Sequence, residues 1–164
     1  MFNLSELARG GTMCLSKAGL TSADAAIDIV APNGAGVDYA IKGVLRHMAD
    51  DTDIAITAAT AQGLLTTCIY LVCLSNADTP VLSTVKGTEV LTADIASGKE
   101  VLTWPLPEAD TCPIGAFKVV CASTATFTAG TTQVDATNVT TTFVDLMCVP
   151  DTPVTSEWDP FHAA

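Results

Sequence analysis

The stretch from Pro113 to Pro150 reads PIGAFKVVCASTATFTAGTTQVDATNVTTTFVDLMCVP and decides the fold class of this chain. It is rich in β-branched and small residues, and turn-forming residues interrupt it at 130–131 and 136–138. It contains one positive charge, Lys118, and no histidine. Side chains of this kind suit a pleated, half-buried surface, but few of them could transfer protons or bind a metal. The stretch predicts β-sheet and favours a structural or interaction protein over an enzyme.

The composition of the whole chain agrees with this interpretation. The chain has 164 residues, enough for one domain with a conventional core. Apolar residues make up 49% and aromatic residues 5%, and there are 24 threonines. The longest unbroken apolar run, Cys68 to Leu74, is far shorter than the roughly 20 residues of a membrane-spanning helix. We therefore expect an all-β chain with a single antiparallel β-sandwich or barrel-like domain, and no membrane partner.

Alternation of apolar and polar residues predicts eight to ten short strands and no long helix. From Val37 to Val44 the alternation indicates one half-buried strand, and residues 47–53 are predicted to form a polar bend. The segment from Leu64 to Leu74 is apolar on both parities in its second half, which is typical of a central strand covered on both faces. Further strands are predicted at 23–30, 54–56, 81–85, 88–92, 100–106, 115–122, 126–129 and 140–147.

Turns and prolines divide the chain into three parts. Residues 1–22 are predicted to form an N-terminal arm or a first edge segment. Residues 23–150 form the β-rich domain. Residues 151–164, DTPVTSEWDPFHAA, form an extended C-terminal tail without periodicity.

The charge balance limits the possible partners. Eighteen acidic and seven basic residues give a net charge of −11, and no basic residue follows Lys118. Binding to a phosphate backbone needs clustered lysine and arginine. We therefore expect no nucleic-acid partner, and an acidic surface that keeps the protein soluble at high local concentration or complements a basic partner.

The six cysteines lie at positions 14, 68, 73, 112, 121 and 148, and none forms a C-x-x-C pair. Cys68 and Cys73 are five residues apart on a predicted strand, so their side chains should face opposite sides of the sheet. The first residues, MFNLSE, lack the basic start and apolar core of a secretory signal. We therefore expect reduced, buried thiols and no metal; a late disulfide between Cys112 and Cys148 is the alternative.

The sequence contains few residues that could form a catalytic site. The only histidines are His47, in the predicted polar bend, and His162, close to the end of the sequence. Catalytic groups need a locked geometry, and these positions favour solvated histidines instead. A carboxylate pair such as Glu100 with Asp110 leaves a small hydrolase open as an alternative, although nine aromatic residues in all offer few sugar-stacking surfaces. We expect no catalytic residue and no cofactor.

An acidic run at Asp50, Asp51 and Asp53 could supply oxygen ligands to calcium. The spacing of a calcium-binding loop is absent, because Ala55 stands where a third acidic residue would be needed. A hydrated acidic turn is the favoured interpretation.

Five large apolar side chains lie outside the periodic strands and are the candidate interface residues: Phe2, Leu4, Leu7, Trp158 and Phe161. Apolar groups placed beyond glycine- or proline-rich joints mark an interface unless they dock on their own domain. Both possibilities are open for the tail. Trp104, in LTWPLP, is predicted to be a core or domain-edge plug.

The chain resembles virion structural proteins of tailed bacteriophages. The segments that carry the resemblance are VDYAIKGV, DIAITA, IYLVCL, TVKG and the quoted stretch up to Leu146. In that family a P-I-G-A-x-K-V strand, an F-T-x-G-T-T turn and a T-x-x-Y/F-x-D-L ending recur in capsid-decorating or tail-associated proteins. The resemblance covers roughly Val37 to Val149 and rests on strands and turns, with no catalytic signature.

The resemblance implies a non-enzymatic virion component made in the bacterial cytoplasm of the host. On that basis we expect a capsid cement or decoration protein that clamps neighbouring subunits of the major capsid protein as a homotrimer. A tail, baseplate or fibre module that binds a host surface glycan is the alternative.

Overall fold

The computed structural model describes residues 11–150, 153–154 and 159–161. Strand accounts for 44% of the structure and helix for 3%, which confirms the all-β prediction. The strands are β1 (Met13–Cys14), β2 (Leu20–Ala23), β3 (Ala26–Ile29), β4 (Val37–Ile41), β5 (Val44–Met48), β6 (Asp51–Ala55), β7 (Thr66–Ser75), β8 (Leu82–Lys86), β9 (Val90–Leu91), β10 (Thr111–Cys121) and β11 (Val139–Asp145). The helix described, α1, spans Thr92–Ala96.

These strands form three antiparallel sheets. The central sheet has the order β11-β10-β7-β8, with β9 also paired to β7. Two flanking sheets, β1-β4-β5 and β2-β3-β6, pack against one face of the central sheet. The arrangement is a sandwich and not a closed barrel.

Strand β7 is central and buried on both faces, as its sequence predicts. Cys68, Tyr70, Val72 and Leu74 face the core shared with the flanking sheets. Ile69, Leu71 and Cys73 face a second apolar cluster on the other side of the central sheet. Cys68 and Cys73 therefore do lie on opposite faces.

The main core is organised by aromatic rings on the central sheet. The rings of Tyr70 and Phe117 stack with centroids 5.0 Å apart, and Phe127 meets Tyr70 edge-on at 5.5 Å. A β-bulge in β10 between Pro113 and Gly115 reverses the parity of the strand. Because of that shift, residues on both sides of the bulge face the same core.

Gly115 is required at this bulge for steric reasons. A Cβ atom there would collide with the Leu20 side chain and lie 2.7 Å from the Val144 carbonyl oxygen. The glycine thus lets the central sheet approach β2 closely.

Several of the predicted elements differ in the structure, and the strand predicted at 126–129 is only an isolated bridge between Phe127 and Gln62. The strand predicted from Val37 to Val44 is a hairpin, because Lys42 and Gly43 have φ values of 53° and 79° and form a two-residue turn between β4 and β5. The polar bend predicted at 47–53 belongs mostly to β5 and β6, which are edge strands with mainly exposed residues. Residues 100–106 form one isolated bridge, from Leu102 to Val154, and not a strand.

Residues 11–22 contain β1 and the start of β2, which are edge strands of the two flanking sheets. Residues 1–10 lie outside the described part of the chain.

Candidate interaction surface

The second apolar cluster covers the outer face of the central sheet, the face turned away from the flanking sheets. It joins residues of β7 and β10 to the segment 90–104 and to the C-terminal tail; its buried members are Ile69, Leu71, Cys73, Val90, Leu102, Ala116, Leu146, Val149, Val154 and Phe161. The Val154 N–H donates to the Leu102 carbonyl at 2.9 Å and fixes the tail to the segment before it. The outer face is thus covered mainly by chain outside the long strands.

The tail is anchored by a charged side chain on β10. Lys118 Nζ donates to Asp159 Oδ2 at 2.8 Å, and both side chains are mostly buried. Asp159 Oδ1 accepts from the Phe161 N–H at 2.9 Å. The Lys118 ammonium also lies 5.2 Å from the Phe161 ring centroid, within the range of a cation–π contact. One lysine therefore holds both a carboxylate and a ring of the tail.

Phe161 docks on its own chain. It is 3% exposed, and its ring stacks on Trp104 with centroids 5.7 Å apart. The sequence left open whether the tail docks on its own domain or forms an interface; in the structure Phe161 is buried against its own domain. Trp104 is half-buried against the same cluster, as expected of a domain-edge plug.

An apolar groove opens beside the docked tail. Its volume is about 330 Å³, and it is lined by Val101, Thr103, Trp104, Leu106, Val149, Pro150 and Pro153. Leu106 is 76% exposed, although it is one of the larger apolar side chains. An exposed apolar surface of this kind is typical of a protein–protein contact.

The electrostatic surface is acidic. Within the described ranges, all lysines and arginines except Lys17 form ion pairs with carboxylates: Lys42–Asp110, Arg46–Asp78, Lys86–Glu89, Lys99–Asp94 and Lys118–Asp159. The basic residues are thus already engaged, and the acidic excess remains uncompensated. An acidic surface repels phosphate backbones and favours basic partners.

Those of the residues weighed for catalysis that the structure describes make separate contacts. His47 lies on β5, where Nδ1 is 2.8 Å from Asp38 Oδ1, and no described hydroxyl or thiol hydrogen-bonds to its ring. Asp110 pairs with Lys42, and Glu100 follows α1. His162 lies outside the described residues.

The acidic run at 50–53 is divided between different contacts. Asp50 Oδ1 accepts from the Ala31 N–H at 2.9 Å, and Asp51 Oδ1 accepts from the Thr52 N–H at 2.9 Å. The Asp53 N–H donates to Asp28 Oδ1 at 2.8 Å. No cluster of three or more potential metal ligands occurs in the part of the chain that the structure describes.

Five of the six cysteines are buried and Cys148 is exposed; none is in a disulfide. Burial raises the pKa of the Cys68, Cys73 and Cys112 thiols from the ordinary 9.0 to about 12. The buried thiols act as small apolar side chains, since a neutral thiol is stable in apolar surroundings.

Four of the five predicted interface residues, Phe2, Leu4, Leu7 and Trp158, lie outside the described residues. The groove was not predicted from the sequence, because residues 100–106 were predicted to form a strand. The signal for a groove was the proline pair at 105 and 107, which cannot donate sheet hydrogen bonds, beside an apolar residue at 106.

Comparison with protein-family models found no match. Searches of curated proteins and of solved structures found no similar chain either. The described residues contain no helix with the length and hydrophobicity that a membrane crossing requires.

Proposed function

We propose that this protein is a non-enzymatic structural component of a bacteriophage virion, a cement or decoration protein that clamps neighbouring subunits of the major capsid protein. The observation that carries the proposal is the apolar groove beside the docked tail, with Leu106 76% exposed at its rim. The sequence resemblance to virion proteins supports it independently.

The groove suits a role in which many weak contacts add up. Burying a large apolar side chain such as Leu106 or Val101 contributes about 1.5–3 kcal/mol. A cement protein repeats each contact over the shell, and simultaneous engagement of several sites raises the overall affinity well above that of one. The acidic surface keeps the free protein soluble until it binds.

The proposed partners are the major capsid protein and further copies of this chain, as a homotrimer. A trimer presents three grooves to the shell, which supplies the multivalency that the mechanism needs. The proposed location is the virion, after synthesis in the bacterial cytoplasm. The free cysteines, five of them buried, are compatible with that compartment.

Copy number tests the location. Densitometry of purified virions should give hundreds of copies per particle for a cement protein. A tail, baseplate or fibre module that binds a host glycan would give a few copies to some tens. Low copy number would overturn the cement proposal in favour of that alternative.

A groove variant tests the surface. Leu106→Glu should weaken binding to undecorated shells by at least about tenfold, because it places a charge in an apolar contact. Leu91→Glu, at an exposed leucine of β9 that does not line the groove, is the matched control and should bind normally. Equal binding by both variants would exclude the groove as the contact surface.

A further inference from the structure

A second apolar pocket lies where β1 and β11 end. It has a volume of about 160 Å³ and is lined by Leu15, Ser16, Lys17, Asp145, Leu146 and Met147. Leu15 is exposed and Met147 is 65% exposed, so two large apolar side chains meet solvent at its rim. A pocket of this size suits one large side chain of a partner.

The walls of this pocket are held by backbone hydrogen bonds to the sheets. The Cys14 N–H donates to the Met147 carbonyl at 2.9 Å, and the Leu15 N–H donates to the Asp38 carbonyl at 2.8 Å. The Leu146 N–H donates to the Ile114 carbonyl at 3.0 Å. A pocket built in this way is preorganised, so little ordering is needed when a partner binds.

The charge at the rim indicates what the pocket would recognise. Lys17 is exposed and is the one lysine or arginine of the described residues without a carboxylate within ion-pair distance. Asp145 is already engaged, because Oδ1 accepts from the Gly19 N–H at 2.9 Å and from the Leu20 N–H at 3.3 Å. The fitting ligand is an apolar side chain close to a carboxylate.

The chain itself contains such a segment. Residues 1–9, MFNLSELAR, place Glu6 between Leu4 and Leu7, with Phe2 before them. We propose that residues 1–9 of one copy dock in this pocket of a second copy, with an apolar side chain inserted and Glu6 beside Lys17. The inference rests on the proposed function, in which copies of the chain assemble, and it names the contact between them.

The direction of β1 favours docking between copies. The Gly43 N–H donates to the Gly11 carbonyl at 3.0 Å, so Gly11 lies at the turn between β4 and β5. Strand β1 runs from that turn towards Leu15, which places Gly11 about 14 Å from the pocket at the rise of a strand. Docking within one copy would need the chain to turn back before β1, whereas assembly of copies, as in the proposed function, brings the same segment of a neighbour to this pocket.

The exposed thiol of Cys148, next to Met147, allows a direct test with the full chain. Cys148 is labelled under native conditions with a maleimide benzophenone, and an equal mixture of ¹⁵N-labelled and unlabelled protein is irradiated. Mass spectrometry should find cross-links from Cys148 to residues 1–9, including pairs that combine both isotopes. Cross-links confined to single copies, or to residues elsewhere, would overturn the proposal.

Point variants test the chemistry. Lys17→Gln and Met147→Ser should each lower the yield of mixed cross-links several-fold. Combining Glu6→Gln with Lys17→Gln should lower that yield no further than Lys17→Gln alone. Lys99→Gln and Leu45→Ser, at an exposed lysine and an exposed leucine outside the pocket, should leave the yield unchanged. Unchanged yields in the pocket variants would contradict the assignment.

Binding to undecorated shells, measured on the same samples, separates the two proposals. Shell binding without mixed cross-links refutes the pocket contact alone. Mixed cross-links without shell binding refute the proposed function and leave the contact between copies in place.

Discussion

Lys118 Nζ lies 2.8 Å from Asp159 Oδ2, and the two side chains are only 16% and 15% exposed. The contact joins the middle of β10 to the tail, 41 residues further along the chain. Lys118 is the single basic residue between Pro113 and the last residue of the sequence. The pair thus explains why a strand of apolar and small residues carries one positive charge.

Removing this pair should destabilise the protein. Lys118→Met keeps the apolar stem but removes a charge-assisted hydrogen bond, so the free energy of unfolding in urea should fall by about 1.5–3 kcal/mol. Lys42→Met is the matched control, because the Lys42 and Asp110 side chains are 68% and 55% exposed. It should cost less than about 1 kcal/mol. Equal costs would contradict the anchoring role.

Phe161→Ala tests whether the ring is buried in the isolated chain. Deleting a buried phenylalanine costs about 3–5 kcal/mol in a core, and the loss here should reach the lower end of that range because the site is at the domain edge. Urea unfolding of the purified variant measures it. A neutral result would mean that Phe161 is free to contact a neighbouring subunit instead.

Cysteine reactivity should follow burial. Iodoacetamide under native conditions should modify Cys148 alone, and after denaturation without reductant it should modify all six thiols. Intact-mass spectrometry counts the adducts, and Cys148→Ser should show none under native conditions. Fewer than six adducts after denaturation would reveal a disulfide.

The raised thiol pKa values predict loss of stability at alkaline pH. Burial raises the pKa of Cys73 from 9.0 to about 12, so the folded state holds a proton that the unfolded state releases above pH 9. The contribution of the protonated Cys73 thiol to the free energy of unfolding is complete below pH 9 and is lost as the pH rises towards 12. The free energy of unfolding should therefore fall with pH, by about 1.4 kcal/mol per pH unit for each such thiol.

Cys73→Val isolates one of these thiols. Urea unfolding between pH 9 and 11 should give a slope about 1.4 kcal/mol per pH unit shallower than in the parent protein. An unchanged slope would show that Cys73 is not buried as a neutral thiol.

Gln62 is a buried polar side chain with a structural role. Nε2 donates to the carbonyls of Thr66 and Val119 at 3.0 and 3.1 Å, and Oε1 accepts from the Tyr70 hydroxyl at 3.3 Å. Gln62→Leu leaves these partners unsatisfied and should cost about 2–4 kcal/mol in urea unfolding. Tyr70→Phe removes one partner and should cost about 1 kcal/mol. A stable Gln62→Leu variant would refute the network.

The sequence alone determined the class of fold and the location of its strongest strand. Alternation with period two is a local property of the sequence. Strand β7 can be recognised because the residues on both of its faces are apolar. The opposite orientation of Cys68 and Cys73 follows from the same period. Edge strands such as β6 give a weaker signal, because most of their side chains are exposed and the segment resembles a polar bend.

The positions of the groove and the pocket follow from tertiary contacts. The groove depends on contacts between residues 101–106 and the tail, and the pocket depends on a hydrogen bond from Cys14 to Met147. Such contacts join positions far apart in the sequence, and no local pattern of hydrophobicity encodes which distant segments meet. Phe161 shows the same limit, since its exposure depends on whether Lys118 and Trp104 are close enough to receive it.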